Sequence, residues 1–312
     1  MRASAPGKIM LMGEYAVLEG GPALIAAVNR RASGRWADDG ASGRGTAEAL
    51  GPVEFAIEPS PVVASVFARA RLLGYPCGND VVIDTARFRD GAGEKLGLGS
   101  SSAAAVVAAA LIVGQVDHTA ILDLALGGHR GAFRGQGSGV DVAASVYGGV
   151  FSTCSQPAPR TPLGAALPGL GLYVLFTGHS ASTAEFVRAS RACGRFARHA
   201  ETMAALAEAG IAAYSAEKAE DFLEVARAYG AAMADLGADA GVPIVTEQIA
   251  AVMQAAAAGG GAAKPSGAGG GDIVVLWSRS PELAASVAAA TDCTVLDVDI
   301  DLDGVTIDAT VP

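Results

Sequence analysis

Apolar positions along this chain recur with two periods, and the switches between them divide it into strands and helices. Lys8 to Met12 reads as a strand that breaks at Gly13. Ala23 to Val28 is a short unbroken apolar run beside Gly and Pro, the pattern of a strand buried on both faces. Asp38 to Gly51 is a polar, glycine-rich linker, and Val53 to Ile57 alternates as the edge strand of a hairpin would. Pro61 to Leu73 places Val62, Val63, Val66, Ala70 and Leu73 on one helical face, with Ser60 as the N-cap. Val81 to Ile83 is a further strand, Ala103 to Val113 an apolar helix, Thr119 to Leu126 a second helix and Gly148 to Cys154 a closing strand.

Gln156 to Pro168 holds Pro157, Pro159, Pro162 and Pro168, a linker that divides the chain into residues 1–160 and 161–312. Beyond it Leu170 to Phe176 is a buried strand, and Ser182-Thr-Ala-Glu185 has the spacing of a capping box before a long helix. On that helix Arg188, Arg191, Arg195 and Arg198 recur at +3, +4 and +3, which lines four guanidiniums on one face. Ala216 to Leu236 and Thr246 to Ala258 are alanine-rich helices. Ile273 to Trp277 is a strand, Pro281 to Ala290 a helix, and Val295 to Ile300 and Val305 to Ile307 strands. The predicted class is α+β, with a second domain of split β-α-β character.

Composition narrows the function. With 51% hydrophobic and 17% charged residues, the 312-residue chain is a folded globular protein rather than a disordered one. A formal charge of −10 disfavours nucleic acid as a partner, since a polyanion needs a basic surface. A small anionic substrate is compatible with it, because local clusters decide that. Cys77, Cys154, Cys193 and Cys293 are widely spaced, which indicates neither a zinc site nor a disulfide framework and fits reduced thiols in a cytoplasm. No signal peptide is read at the start, and no apolar run approaches the ~20 residues of a membrane helix. The expectation is a cytoplasmic monomer or homodimer without membrane contact.

The 41 glycines among 312 residues are nearly twice the usual share of about 7%, and much of the excess lies in three stretches. In Glu94-Lys-Leu-Gly-Leu-Gly-Ser-Ser-Ser-Ala-Ala-Ala105, Gly97 and Gly99 let a ligand approach the backbone just where an apolar helix begins. The free amides and positive dipole end of that helix favour phosphate; the bland alternative is a flexible loop before an ordinary cap. Ala5-Pro-Gly-Lys-Ile-Met-Leu-Met-Gly-Glu-Tyr-Ala-Val17 carries Lys8, either a snorkelling surface lysine or a cation aimed at a transferred phosphoryl group, and Glu14, which pairs with it or faces solvent. Lys264-Pro-Ser-Gly-Ala-Gly-Gly-Gly-Asp272 suits a loop turning tightly against ligand phosphates or against the other two stretches. Between them, Gly137-Ser-Gly-Val-Asp141 puts a carboxylate at a helix start, either as a cap or held ionised by backbone amides as a base.

Taken in order, the Ala5–Val17, Glu94–Ala105 and Lys264–Asp272 stretches resemble the three motifs of the GHMP kinases, a superfamily that includes galactokinases, homoserine kinases, mevalonate kinases and phosphomevalonate kinases. The resemblance spans nearly the whole chain. Lys264–Asp272 and Thr177-Gly-His-Ser-Ala-Ser-Thr183 look most like phosphomevalonate kinases, with mevalonate kinases next. The resemblance implies a two-domain fold, the N-terminal domain like ribosomal protein S5 and the C-terminal one ferredoxin-like. It also implies ATP with Mg2+ as cofactors. By the same resemblance Asp141 is the catalytic base and Lys8 a catalytic cation. Gly97, Leu98, Gly99, Ser100, Ser101, Ser102 and Ala103 cradle the nucleotide, and Ser101 and Asp141 hold the metal. Ser138, Gly139, Ser182, Thr183, Gly267, Ala268 and Gly269 fall to the substrate. Arg191 and Arg195 are either a clamp for an anionic substrate or part of a solvated helix face. Where mevalonate kinases place a metal-binding Glu eleven residues before the Asp, this chain has Arg130, a departure that bears on the metal shell.

The leading expectation is a small-molecule kinase acting on 5-phosphomevalonate, with mevalonate as the alternative acceptor. A related decarboxylase and a ligand sensor that has lost catalysis are the further alternatives. The joint presence of Lys8, Ser101 and Asp141 speaks against the sensor.

Overall fold

The computed structural model describes the chain apart from residues 37–46, 50–56, 78–80, 134, 136–137, 155–159, 182 and 309–312. Most of the linker and edge strand expected between Asp38 and Ile57 therefore lies outside the described residues. In the N-terminal half, Arg2–Met12 and Ala23–Trp36 form a long antiparallel pair with register shifts at Pro6/Gly7 and Met10/Met12. Val81–Asp84 and Val150–Thr153 pair with the second of these strands. Ala23 to Val28 are wholly inaccessible, as an unbroken apolar run demands of a strand covered on both faces.

Over this sheet lies the Ser100–Val113 helix, buried from Ser102 to Ile112. A helix apolar on every side belongs in a core, and its alanines let neighbouring elements approach closely. The helices Pro61–Leu72, His118–Ala132 and Val140–Tyr147 pack around it. Ser60 caps the first of them as expected, accepting from Val63 N at 3.4 Å.

The C-terminal half holds a four-stranded antiparallel sheet in the order Thr294–Leu296, Gly171–Phe176, Ile273–Ser278, Ala262–Ser266. By chain order this is fourth, first, third, second, the ferredoxin-like arrangement. The helices Glu247–Ala258 and Pro281–Ala290 cover one face, and Ala219–Ala240 packs with Ala262–Ser266 and, through Phe222, against Trp277.

Several elements depart from the pattern reading. Strand Thr161–Leu163 joins Val150–Thr153, and strand Thr306–Asp308 returns to the edge of Arg2–Met12. Both lie beyond residue 160 in sequence yet belong to the N-terminal sheet. Arg31 fastens the returning tail, binding Asp301 at 2.5 Å and the Gly304 carbonyl at 2.6 Å. The long arginine-striped helix is two helices, Thr183–Ala192 and Phe196–Ser215, separated by a turn at Cys193–Arg195 that contains Gly194. The stripe therefore does not share one face. A second break leaves Glu217 at φ 56°, so the next helix begins at Ala219 rather than Ala216.

Candidate active site

The three glycine-bearing stretches, far apart in sequence, meet at the seam between the two halves. Lys8 N donates to Leu98 O at 2.8 Å, joining the first to the second. Tyr15 Oη donates to Ala268 O at 2.6 Å, and Ser266 Oγ both accepts from Met10 N at 2.9 Å and donates to Met10 O at 3.0 Å, joining the first to the third. Gly97, at φ 73°, has no room for a side chain, because a Cβ there would fall 2.6 Å from Asp272 Cβ. The second stretch thereby closes on the third.

At the centre of this seam Lys264, wholly buried, donates to Glu14 Oε1 at 2.5 Å and to Pro265 O at 2.7 Å. Its ammonium also lies 5.5 Å from the centre of the Tyr229 ring. Burial pushes the Lys264 ammonium below its ordinary value, and the Glu14 charge pulls the other way. Glu14 thus pairs with Lys264, 250 residues away, and not with Lys8. No local sequence signal announces such a pairing.

These contacts wall a cleft of about 430 Å³. Of the residues singled out from sequence, Lys8, Gly97, Leu98, Gly99, Ser100, Ser101, Ser138, Asp141, Thr183, Gly267 and Ala268 line it. Gly99, at φ 84°, stands at the helix N-cap with no side chain bonding the first amides, which leaves the helix dipole's positive end for an anion. The Lys8 stem crosses over Gly99, where a Cβ would lie 3.0 Å from Lys8 Cγ. Asp141 sits in the first turn of the Val140–Tyr147 helix, its Oδ1 accepting from Val142 N at 2.9 Å.

Other expected residues have supporting places. Ser102 is buried and spends its hydroxyl on Gly99 O at 2.8 Å, and Ala103 is buried behind it. Gly139 supplies the left-handed N-cap before Asp141, and Gly269 packs against Ile244 with a positive φ. Ser182 lies outside the described residues. The arginine clamp does not assemble: Arg191 pairs with Glu19 at 3.1 Å and Arg195 with Asp239 at 3.1 Å, and neither lines the cleft. The break at Gly194 separates them, and local acids take both charges.

The cleft also holds residues to which the sequence reading gave no role. Asp272 lines it, and burial pushes its carboxyl up against the opposing pull of the Ala181 amide, Ser180, Lys8 and Lys95. Its position directly after three glycines was the available signal. His129 lines it too, with Nε2 3.7 Å from Asp141 Oδ2. Among the described residues no group of three or more His, Cys, Asp or Glu gathers as a metal cage. Ser101 and Asp141 both line the cleft, and a hydroxyl and a carboxylate are oxygen donors of the type that magnesium takes alongside phosphates and water.

A family model for the N-terminal domain of GHMP kinases matches residues 62–149, and one for their C-terminal domain matches residues 213–295, together more than half of the chain. The protein belongs to the GHMP kinases, a class of ATP-using kinases. It is 35% identical over 199 residues to the mevalonate kinase of Aeropyrum pernix, an alignment covering 60% of each chain. With the phosphomevalonate kinase of Saccharolobus solfataricus it shares 30% over 203 residues, covering 60% of this chain and 61% of the relative. The aligned part is thus less than two thirds of either relative. The structure of Streptococcus pneumoniae phosphomevalonate kinase in complex with phosphomevalonate and AMPPNP superposes with a TM-score of 0.78 at 19% identity, covering 96% of this chain and 99% of that one. Among the described residues no helix is long and apolar enough to cross a membrane.

Proposed function

We propose that the protein transfers the γ-phosphoryl group of ATP to 5-phosphomevalonate, giving 5-diphosphomevalonate and ADP. The observation that carries this reading is one cleft shared by an uncapped helix N-terminus, a lysine and a carboxylate. Phosphoryl transfer needs little beyond such positioning and charge stabilisation. The amides of Ser100 and Ser101 cradle the phosphates, and Lys8 meets charge that develops on the transferred group. Ser101 and Asp141 would hold magnesium, which when bound neutralises β- and γ-phosphate charge.

Asp141 takes the acceptor's proton. A phosphomonoester has a second pKa of about 6, so 5-phosphomevalonate needs this service mainly as its monoanion, whereas a hydroxyl acceptor always needs it. Lys95 at the cleft, with Lys8, supplies positive charge for an anionic acceptor in a chain of net charge −10. The Lys264–Asp272 and Thr177–Thr183 stretches support the phosphorylated acceptor.

The second reading is mevalonate kinase, favoured by the higher identity to the Aeropyrum pernix enzyme. ADP release measured with ATP, magnesium and either acceptor decides between them. Ready turnover of mevalonate with none of 5-phosphomevalonate overturns the first reading.

A further inference from the structure

His129 occupies the last turn of the His118–Ala132 helix, and its ring packs on Phe133 with centroids 4.6 Å apart. The side chain is 9% exposed, and Nε2 is buried without a hydrogen-bond partner. A buried polar nitrogen left unpaired is costly and rare, so its surroundings require an explanation. Facing it at 3.7 Å is Asp141 Oδ2, while Asp141 Oδ1 is already held by Val142 N at 2.9 Å.

Both backbones are pinned. Gly128 lies so close to the Pro61–Leu72 helix that a Cβ would fall 2.6 Å from Val66 Cα. Gly139, in the left-handed conformation, fixes the start of the helix that carries Asp141. The gap between nitrogen and carboxylate is therefore one that side-chain rotation closes.

We propose that His129 is a positioning residue for Asp141: its Nε2–H donates to Oδ2 and holds the carboxylate between two donors, with the other Oδ2 lone pair free for the acceptor. This rests on Asp141 being the base. A carboxylate oxygen has two lone pairs, so a donor on one does not prevent proton capture on the other. Fixing the carboxylate's rotation helps only when its oxygen must meet the acceptor, so the loss on removing the donor falls on kcat rather than on KM.

The test compares His129→Met, which keeps the length but has no donor, with His129→Gln, whose Nε2 stands near the ring nitrogen's place. ADP release is followed with ATP, magnesium and 5-phosphomevalonate, and again with mevalonate, after melting curves establish folding. The expected result, with mevalonate or with 5-phosphomevalonate below about pH 6 where it keeps its proton, is at least about a tenfold loss of kcat in His129→Met with both KM values within about twofold, and recovery of most of that loss in His129→Gln. In Asp141→Asn, adding His129→Met should cost little more, since the two act as a unit. Unchanged kcat in His129→Met, equal losses in Met and Gln, or a loss confined to KM overturns the proposal. Should His129→Met not fold, Gln against Asn makes the same comparison, because the Asn amide is too short, and Gln no better than Asn overturns it.

The side-chain nitrogen resonances of the four histidines give a reading independent of turnover. Asp141→Asn should move the His129 signal, assigned by its absence in His129→Gln, and an unmoved signal rejects the contact. If the parent protein phosphorylates neither acceptor the proposed function falls, while this spectrum still decides the His129–Asp141 contact. If Asp141→Asn keeps full turnover, both the base and its positioning residue fall together.

Discussion

Lys264→Met removes an ammonium from the centre of the seam while keeping most of the side chain's apolar volume. What stays behind is the Glu14 carboxylate, with a side chain 2% exposed, one oxygen lacking any partner and the other facing only the Gly267 amide at 3.4 Å. Breaking a buried pair from one side costs about 3–5 kcal/mol, because the survivor is an uncompensated charge in a poor solvent. The second Lys264 hydrogen bond, to Pro265 O, goes with it. With a urea slope of about 3 kcal/mol/M, a loss of that size lowers the unfolding midpoint by about 1 M or more. The assay is equilibrium urea unfolding at pH 7, read by circular dichroism. In the double variant Glu14→Gln/Lys264→Met neither charge remains, and more than half of the loss should return. The cleft should suffer as well, since Glu14 and Gly267 both line it. A single variant within about 1 kcal/mol of the parent, or a double variant no more stable than the single, would refute the view that this pair holds the first and third glycine-bearing stretches together.

Asp141→Asn should lower turnover by about 10²-fold or more with mevalonate at every pH, whereas with 5-phosphomevalonate the penalty should shrink as pH rises above about 6 and the acceptor sheds its own proton. A penalty with the phosphorylated acceptor that is flat from about pH 5.5 to 8 removes proton capture from Asp141's role. Burial raises the Asp272 pKa, so the folded state favours the protonated form: its contribution to stability is present below the ordinary carboxylate value and is lost as pH rises through the raised one. Asp272→Asn should therefore be at least as stable as the parent at pH 7, with the advantage shrinking toward about pH 4 in matched urea titrations; a variant less stable at pH 7 contradicts the sign. Arg191→Ala and Arg195→Ala remove ion pairs of solvent-exposed arginines with Glu19 and Asp239, and the former also a hydrogen bond to Leu18 O, and should leave the KM of either acceptor within about twofold. A tenfold rise would restore the arginine clamp.

The sequence by itself determined most of the elements and the local chemistry, because both are encoded over short distances. A run such as Ala23 to Val28 can be satisfied only by burial on both faces, and an all-apolar helix such as Ser100–Val113 only by a place in the core. Gly97 and Gly99 announce left-handed turns at a helix start, and the free amides and dipole of such a start favour an anion. The Gly97–Ser101 turn was legible for that reason, Lys8, Asp141 and Gly267–Ala268 through the resemblance of their motifs, and the structure brings them to one cleft. Pairing across long separations was not legible. Nothing local tells Glu14 to meet Lys264, strand Thr306–Asp308 to return to Arg2–Met12, or His129 to stand beside Asp141. Spacing alone put four arginines on one face, but the turn at Gly194 split the helix and nearby acids took the charges of Arg191 and Arg195. Periodicity fixes which face of an element is buried; which distant charge lies against it is decided only when the sheets and helices pack.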